Sequence, residues 1–398
     1  MAKRMNTLDS LKLEEKVVLL RTDFNVPIKD GVITSNKRIV EALPTIKYLL
    51  EKKARIVIFS HLGRIKTEAD LAKNTLSPVA SELARLLGTP VNFIDESSGK
   101  LLRHAIMRMK PGDIVLAENT RFEDLRNKAE SRSHWKLSKY WARLGQVYVN
   151  DAFGAAHRKN ASTYGIAEYA DEVAIGLLME KEVKNLQYLT KKPEKPYYAI
   201  VGGSKLSDKI PVLKSLIKKV DKIFIVGGMA FTFMKADGKK IGKSIVDNEN
   251  VKFAQEFLAK YRTKVVLPVD FKCASDFTDS YPIVQDNEIS DDLMGLDIGE
   301  KTLRLFEEQL PNAKTVVWNG PAGVVEFQNY KQGTVGIAKI LGSLKDAKTF
   351  IGGGDSVAAI ENEGLTDLFT HISTGGGATL EFLQGKELPA LKIIRKRT

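Results

Sequence analysis

Ten short runs of apolar residues recur along the chain, and each lies beside a longer stretch with helical periodicity. The runs are four or five residues long, and in most of them consecutive apolar residues follow one another without alternating polar positions, which is typical of strands buried on both faces. They occupy residues 17–20, 55–59, 113–116, 146–149, 197–201, 222–226, 264–267, 314–318, 348–351 and, more weakly, 371–374. The pattern predicts parallel sheets covered by helices.

Amphipathic stretches between these runs predict the covering helices. They include residues 37–52, 77–87, 205–219 and 249–260. Because strands and helices alternate, we expect an α/β fold built from Rossmann-like lobes.

A charged segment near the middle of the chain predicts a helix that joins two lobes. Residues 168–194 carry apolar side chains at helical spacing and end among prolines. We place this interdomain helix and the hinge at residues 171–195, between a first lobe at 1–170 and a second at 196–379.

Length and charge agree with two lobes and narrow the partners. A chain of 398 residues is more than twice a typical domain of ~150 residues. Its net charge of +12 suggests nucleic acid, an anionic membrane or a phosphorylated small molecule. Residues 1–170 hold 29 Lys and Arg against 19 Asp and Glu, so most of the positive excess lies in the first half.

The single cysteine, Cys273, cannot form an internal disulfide, which favours a reducing compartment. The N-terminal residues lack the apolar core of a signal peptide, and no uncharged apolar stretch approaches the ~18–20 residues that span a bilayer. We therefore expect a cytoplasmic protein that does not enter a membrane.

Basic residues follow the predicted strands of the first half, where loops of an open α/β sheet carry ligands. The loops after the strands read Arg21-Thr-Asp-Phe-Asn-Val-Pro27, Ser60-His-Leu-Gly-Arg64, Glu118-Asn-Thr-Arg-Phe122 and Asn150-Asp-Ala-Phe-Gly-Ala-Ala-His-Arg158. One such residue alone is most simply a solvated surface charge. Their recurrence at the same end of four strands indicates a small anionic ligand, since arginine matches carboxylate and phosphate oxygens. His61 and His157 lack neighbours at metal-ligand spacing.

Glycine-rich turns follow the predicted strands of the second half. They are Gly202-Gly-Ser-Lys205, Gly227-Gly-Met-Ala230, Asn319-Gly-Pro-Ala-Gly323, Gly352-Gly-Gly-Asp-Ser356 and Thr374-Gly-Gly-Gly377. Glycine lets the backbone approach a ligand, and a following helix directs its positive end at phosphate. A single glycine pair is more often a plain turn, but the repetition predicts a nucleotide site.

Several nucleotide-binding classes are excluded by their missing motifs. The chain has neither a G-x-x-x-x-G-K-[ST] loop nor a dinucleotide fingerprint with its acidic residue, and it lacks a protein-kinase catalytic loop. Lys205 and Lys209 beside glycines can contact a phosphoryl group, and Asp355 can hold Mg²⁺ on nucleotide phosphates. An anion site on one lobe and a nucleotide site on the other predict a phosphotransferase with two substrates.

Taken together, these motifs resemble phosphoglycerate kinase in order and over nearly the whole chain. The resemblance also covers Leu267-Pro-Val-Asp270, Trp318 to Glu326 and Ser373 to Ala378. It implies reversible transfer of the acyl phosphate of 1,3-bisphosphoglycerate to ADP, giving 3-phosphoglycerate and ATP, with Mg²⁺ and domain closure. It also implies a monomer. Residues 1–170, which we expect residues 380–398 to complete, then bind the triose, and residues 196–379 bind the nucleotide.

The resemblance assigns roles residue by residue. Arg38 and Lys205 are the implied catalytic residues, and Asp355 is the implied metal-linked carboxylate. The implied substrate-binding residues are Asp23, Phe24, Asn25, Arg38, His61, Leu62, Gly63, Arg64, Arg121 and Arg158. The implied nucleotide-binding residues are Lys205, Lys209, Gly227, Gly228, Gly295, Asn319, Glu326, Gly353, Gly354, Asp355, Ser356, Gly375, Gly376 and Gly377.

Some positions depart from the usual family pattern without removing an implied ligand. Thr120 stands where leucine is usual, Ser356 replaces a commoner threonine, and residues 65–70 lack the usual proline. The basic, aromatic segment 128–141 is also unusual, and it is either a solvated helix face or a nucleic-acid or partner site.

Two alternatives remain at this point. Nucleic-acid binding would use the positive charge, although we do not expect it, and a catalytically inactive homologue would keep the fold alone.

Overall fold

The predicted apolar runs form strands of two separate parallel sheets in the computed structural model, which describes residues 5–398. The chain divides into two units. The first unit comprises the chain up to Lys184 together with Glu387–Thr398, and the second unit is Asn185–Lys386. The predicted α/β fold is confirmed.

The sheet of the first unit is parallel throughout, with the strand order β5-β6-β4-β1-β7-β8. A short antiparallel hairpin, β2-β3, lies outside it. The strands of this unit are β1 (Val17–Arg21), β2 (Ile28–Lys29), β3 (Val32–Ile33), β4 (Arg55–Phe59), β5 (Asn92–Ile94), β6 (Ile114–Ala117), β7 (Val147–Asn150) and β8 (Glu172–Ile175). The central strands β1 and β7 are buried at every position, because helices cover both faces.

Helices of the first unit bury apolar residues at helical spacing against this sheet. In α1, Ile39, Leu43, Ile46 and Leu49 join the same core as Val18. The helices are α1 (Lys37–Glu51), α2 (Ala69–Lys73), α3 (Ser77–Leu87), α4 (Lys100–Met107), α5 (Asp124–Asn127), α6 (Trp135–Ala142) and α7 (Ile166–Tyr169).

One helix, α8 (Leu177–Lys191), begins in the first unit and ends in the second. The prediction of a helix from residue 171 is wrong at its start, because Glu172–Ile175 forms β8. The apolar residues of β8 pair with β7 and are buried, and Gly176 separates this strand from the helix. A four-residue strand at a sheet edge is too short for its apolar run to be separated from the helical spacing that follows it.

The sheet of the second unit is also parallel, with the order β11-β10-β9-β15-β16-β17, and a separate antiparallel sheet has the order β13-β12-β14. The strands are β9 (Tyr197–Val201), β10 (Lys222–Ile225), β11 (Val265–Val266), β12 (Asp270–Ala274), β13 (Ile283–Asp286), β14 (Met294–Ile298), β15 (Thr315–Asn319), β16 (Lys348–Gly352) and β17 (His371–Ile372). The antiparallel sheet was not predicted. Its central strand β12 carries the buried thiol of Cys273.

Helices of the second unit cover its parallel sheet, and the final helix of the chain returns to the first unit. The helices of the second unit are α9 (Ile210–Leu216), α10 (Met229–Ala236), α11 (Val251–Tyr261), α12 (Glu300–Gln309), α13 (Gln332–Ser343), α14 (Gly354–Asn362) and α15 (Gly377–Leu383), and the final helix is α16 (Pro389–Arg397). Within residues 5–398, no helix combines the length and the apolar character needed to cross a membrane.

The predicted helix at 205–219 is longer than α9. The helix begins only at Ile210, with Pro211 in its first turn, a position that proline favours because no helical N–H is needed there. Residues 202–209 therefore form a turn, and this turn carries Lys205 and Lys209.

The chain returns to the first unit later than residue 380. Leu383 belongs to the second unit, where its carbonyl accepts a hydrogen bond of 2.7 Å from Ser215 Oγ. Beyond Glu387, the backbone N–H of Ala390 donates to Ala156 O at 3.1 Å, and the side chain of Arg397 donates to Ala170 O at 2.7 Å.

Candidate functional site

The loop ends of β1, β4, β6 and β7 lie at one edge of the first sheet, because the strands are parallel. From β1 the chain goes to β4 on one side of the sheet and later adds β7 on the other. Ligands of open α/β sheets bind at such a reversal, beyond the carboxyl ends of the strands. The predicted basic loops therefore share one edge.

Asp23, in the loop after β1, pairs with Arg38 in the first turn of α1, with 2.5 Å between Oδ2 and Nη1. Asn25 from the same loop accepts the backbone N–H of Gly63 at 2.8 Å, which ties the loops after β1 and β4 together. Burial would raise the pKa of Asp23, but the charges of Arg38 and nearby groups lower it to about 2. Asp23 is therefore an anion that orients a cation.

His61, in the loop after β4, is buried beside the same pair. Burial lowers the pKa of His61 well below its usual value, and although Asp23 opposes this, Arg21 and Arg121 reinforce it. Burial thus favours the neutral form of the ring. Its Nδ1 lies 3.1 Å from Arg21 Nη2 and 3.9 Å from Asp23 Oδ1.

Further arginines converge on this edge from the loops after β6 and β7. The guanidinium of Arg121 donates to the carbonyl of Gly63. Burial, followed by the charges of Arg158 and Arg21, lowers the pKa of Arg121 to about 10. Burial is the larger cause of this shift, and the neighbouring like charges add repulsion that an anionic ligand would relieve.

The remaining predicted substrate residues occupy supporting or exposed positions. Phe24 is fully buried, and its N–H donates to Ser60 Oγ at 2.8 Å. Leu62 is buried, and its carbonyl accepts from Asn119 Nδ2 at 2.7 Å. Arg64 is exposed, and within residues 5–398 no hydrogen bond or ion pair joins it to the cluster. Phe24 and Leu62 thus shape the loops.

A cavity of about 360 Å³ lies in the second unit, beside the reversal of strand order between β9 and β15. The predicted nucleotide residues among its walls are Gly227, Gly228, Gly295, Glu326 and Asp355. Apolar walls come from Phe231, Phe271, Met294, Leu296 and Val324. An apolar cavity with a few polar groups at its edge suits a flat heterocycle joined to a polar chain.

Glycine is required at two walls of this cavity. Gly227 has a φ of +69°, and a Cβ there would lie 2.7 Å from Pro321 O, so the turns after β10 and β15 touch through backbone atoms. At Gly295 in β14, a Cβ would lie 2.3 Å from the ring of Phe231. A side chain at either position would therefore force neighbouring atoms of the cavity wall to shift.

Lys209 and Asn319 form a polar pair at the strand ends. Lys209 Nζ donates to Asn319 Oδ1 at 2.5 Å, and Asn319 Nδ2 donates to Gly352 O at 2.9 Å. Burial lowers the pKa of Lys209, and the charges of Asp208 and Asp355 oppose that shift. The turns after β9, β15 and β16 are therefore held in register around one cation.

The turn after β16 is suited to an anion. Gly353 has a φ of +107° and precedes α14, so backbone N–H groups at the start of this helix are free of helical partners. Ser356 is buried there, and its hydroxyl has no hydrogen-bond partner among residues 5–398. Asp355 is exposed beside it.

A metal at this place would be only partly held by the protein. Within residues 5–398, no three His, Cys, Asp or Glu side chains are grouped so that they could hold a metal ion. Asp355 alone fits Mg²⁺ that arrives with phosphate oxygens as its other ligands.

The other predicted nucleotide residues are less well connected to the cavity. Lys205 is exposed next to Ser204, which lines the cavity. Hydrogen bonds from Asn250 and Ser207 lower the pKa of Asp247, and the charge of Lys205 adds to this effect. Gly375 and Gly376 form the turn before the short helix α15, which begins at Gly377, and all three lie outside the cavity walls.

Sequence reasoning missed two residues of these sites. Arg21 belongs to the motif at the end of the first strand, but nothing in the sequence indicates that it contacts His61 from within β1. Phe277 lines the cavity and packs on Phe327 with 4.9 Å between ring centroids. Phe277 lies between β12 and β13 of the antiparallel sheet, where no apolar run predicts a strand.

These features define a class of protein. One α/β unit carries a cluster of arginines, and the other carries a glycine-lined cavity with a turn suited to phosphate. These are the features of a phosphotransferase with two substrates. The model of the family "Phosphoglycerate kinase" matches residues 8–386. The chain belongs to the phosphoglycerate kinase family.

Relatives and solved structures agree over the full length. A phosphoglycerate kinase of Staphylococcus aureus (strain JH9) is 52% identical over 399 residues, with 100% of both chains covered. One from Macrococcus caseolyticus is 51% identical over 389 residues, covering 97% of this chain and 98% of the relative. The phosphoglycerate kinase structures from Coxiella burnetii and Pyrococcus horikoshii OT3 give TM-scores of 0.88 and 0.86 at 39% and 31% identity, each covering 99% of this chain and 100% of the other. The chain is an enzyme, a phosphotransferase with a carboxyl group as acceptor.

Proposed function

We propose that this enzyme transfers the acyl phosphate of 1,3-bisphosphoglycerate reversibly to ADP with Mg²⁺, giving 3-phosphoglycerate and ATP in glycolysis and gluconeogenesis. The observation that carries the proposal is the pairing of Asp23 with Arg38 at the centre of an arginine cluster, in a chain 52% identical to a phosphoglycerate kinase.

The first unit supplies the triose site in this proposal. Asp23 and Asn25 contact the glycerate hydroxyl and carboxyl region, and His61, Arg64, Arg121 and Arg158 contact the phosphate and carboxylate oxygens. Burial and the charges of Arg158 and Arg21 lower the pKa of Arg121, and the repulsion among these arginines supports an anionic ligand here. Gly63 contributes backbone contacts, and Phe24 and Leu62 keep the loops in place.

The second unit supplies the nucleotide site. The base lies in the apolar cavity between Gly227, Gly228 and Gly295, and Glu326 contacts the ribose. Asn319 and Lys209 contact the phosphates. Gly353, Gly354 and Ser356 surround them at the start of α14, and Gly375, Gly376 and Gly377 form a further phosphate-facing turn.

Mg²⁺ neutralises phosphate charge when it is bound with the nucleotide, and Asp355 would hold it. The exposed position of this carboxylate and its place in the first turn of α14, next to the buried Ser356 hydroxyl, support that role.

The chemistry needs alignment rather than proton removal. In the ATP-forming direction a terminal phosphate oxygen of ADP attacks, and in reverse the nucleophile is a carboxylate, so neither step requires a general base. Arg38 and Lys205 then stabilise the negative charge that develops on the transferred phosphoryl oxygens. Charge stabilisation and orientation each supply several kcal/mol in such reactions.

Transfer also requires the two bound ligands to meet, so we propose that the lobes close by bending at the hinge around α8. We propose that the enzyme acts as a monomer. We keep the cytoplasm as its location because its single cysteine suits a reducing compartment.

A coupled assay tests the proposal. Purified protein should produce ADP from ATP only when both 3-phosphoglycerate and Mg²⁺ are present, and Arg38→Ala should abolish most of this activity. Lys37→Ala, at the neighbouring cation of α1, is the matched control. Absence of Mg²⁺-dependent turnover in the unmodified protein would refute the proposed reaction, and full activity of Arg38→Ala would refute the role of Arg38.

A further inference from the structure

A buried polar network lies behind the arginine cluster, and the proposed function gives no role to its members Arg21, Ser162 and Glu130. Its centre is Arg21, which is 1% exposed within β1. Arg21 Nε donates to Ser162 Oγ at 2.8 Å, Nη1 donates to Thr22 O, and Nη2 lies 3.1 Å from His61 Nδ1. The guanidinium is thus held in one orientation from three sides.

Glu130 anchors this network from its far end. The side chain is fully buried, its Oε2 accepts the N–H of Ser162 at 2.9 Å, and its Oε1 accepts the Ser162 hydroxyl. Because that hydroxyl proton is donated to Glu130, the lone pairs of Ser162 Oγ face Arg21 Nε. Burial raises the pKa of Glu130, and the charge of Arg21 opposes that rise.

The direction of these hydrogen bonds fixes the proton on His61. A guanidinium has donors and no acceptor, so His61 Nδ1 must accept the hydrogen bond from Arg21. A neutral imidazole with an accepting Nδ1 carries its proton on Nε2. His61 Nε2 is then the donor of the ring, and the side chain is 8% exposed.

Asp23 favours a different position for the proton of His61. Asp23 Oδ1 lies 3.9 Å from His61 Nδ1 and would attract a proton there. The charged groups that act on the ring are Asp23, which raises its pKa, and Arg21, Arg121 and Arg38, which lower it. Arg21 donates a hydrogen bond to His61 Nδ1, the nitrogen that would carry a proton if it paired with Asp23 instead. The orientation of Arg21 therefore determines which ring nitrogen is protonated.

We propose that Glu130 and Ser162 are positioning residues that hold Arg21 so that His61 stays neutral with its proton on Nε2. In this state His61 presents a hydrogen-bond donor to an anionic ligand. The consequence for substrate binding rests on the proposed triose site, whereas the protonation state itself does not.

The protonation state can be read directly by NMR of the full chain labelled with ¹⁵N-histidine, with His61→Gln used to assign the signals. We expect the unmodified protein at pH 7 to show His61 as the neutral form protonated at Nε2. A proton on Nδ1, or on both nitrogens, would overturn the proposal without any variant.

Variants then test the positioning roles. Ser162→Ala removes the acceptor of Arg21 Nε, and Glu130→Gln places an amide NH₂ against one of the two Ser162 donors. We expect both to move His61 toward protonation at Nδ1. Thr120→Val is the control, since Thr120 Oγ1 touches Glu130 at 3.2 Å without contacting Ser162 or Arg21. If His61 keeps its Nε2 proton in both variants, the proposal is wrong.

Kinetics separates this role from a purely structural one. Ser162→Ala should raise KM for 3-phosphoglycerate about tenfold, the effect of weakening one hydrogen bond to a charged ligand, and leave KM for MgATP unchanged. An equal rise in both would indicate general loss of structure and overturn the proposal. If the unmodified protein has no turnover, the proposed function fails, and the NMR result still decides the state of His61.

Discussion

Asp151 Oδ1 accepts a hydrogen bond of 3.0 Å from the backbone N–H of Met179, which joins the loop after β7 to the first turn of α8. A carboxylate in this position satisfies an N–H that lacks a helical partner. A Cβ at Gly176 would lie 2.3 Å from Asp151 Oδ1, so the strand, the loop and the helix meet in little space. The start of the helix that crosses between the units thus depends on one buried acid.

The pH dependence of stability should report this acid. Burial raises the pKa of Asp151 to about 6, although hydrogen bonds from Thr45 and the backbone oppose the rise. Folding therefore takes up a proton between pH 3.8 and 6. The contribution to stability grows as pH falls through 6 and is complete below 3.8. Relative to Asp151→Asn, the unmodified protein should gain up to about 3 kcal/mol from pH 7.5 to 4 in urea unfolding.

Asp171→Asn, an exposed neighbour, should show no such trend; a trend equal to that of Asp151→Asn would argue against the assignment.

Removal of the Asp355 carboxylate should weaken binding of the nucleotide with its metal. We expect Asp355→Ala to raise the Kd of MgADP about tenfold or more in isothermal titration, because a charged ligand of the ion is lost. ADP without Mg²⁺ should bind both proteins with similar affinity. Asp367→Ala, at an exposed acid of the same unit, should leave both affinities unchanged. Unchanged MgADP binding in Asp355→Ala would remove Asp355 from the metal site.

Arg64 tests the division of the ligands between the units. Its side chain is exposed at the end of the loop after β4, and its loss should not disturb the core. We expect Arg64→Ala to raise KM for 3-phosphoglycerate about tenfold while KM for MgATP stays within about twofold. Lys66→Ala, an exposed cation two residues later, should change neither constant. Equal losses for both substrates in Arg64→Ala would contradict the division.

Phe277 is predicted to contribute to nucleotide affinity through the cavity wall. It is 62% exposed and packs on Phe327, so truncation should cost little stability. We expect Phe277→Ala to raise the Kd of ADP about three- to tenfold through lost apolar contact. Tyr281→Ala, at a ring that is 90% exposed and outside the cavity walls, should have no effect. Matching effects in the two variants would assign the change to the loop as a whole.

The fold could be predicted from the sequence where strands are buried on both faces of a sheet. Runs such as 197–201 became strands at the predicted place because a strand covered on both faces has only apolar positions. Strands β5 and β13 were missed because they lie at sheet edges with exposed residues, so their sequences resemble loops. Strand β8 was missed because helical spacing continued through it.

The candidate sites divide in the same way. Loops after parallel strands could be located from the sequence, since their position follows from topology. The contacts of Arg21 could not, because they join residues 40 and 141 positions away in the chain. Hydrogen bonds over such distances leave no local pattern, and only packing brings these side chains together.

The single thiol of the chain, Cys273, can report local opening of the antiparallel sheet. Burial in β12 raises the pKa of Cys273 to about 12, so the folded chain holds neither exposed nor ionised thiol. A thiol reagent can then react only with molecules whose antiparallel sheet has opened. The rate at which Cys273 is labelled would therefore measure how often the antiparallel sheet opens, without an added probe.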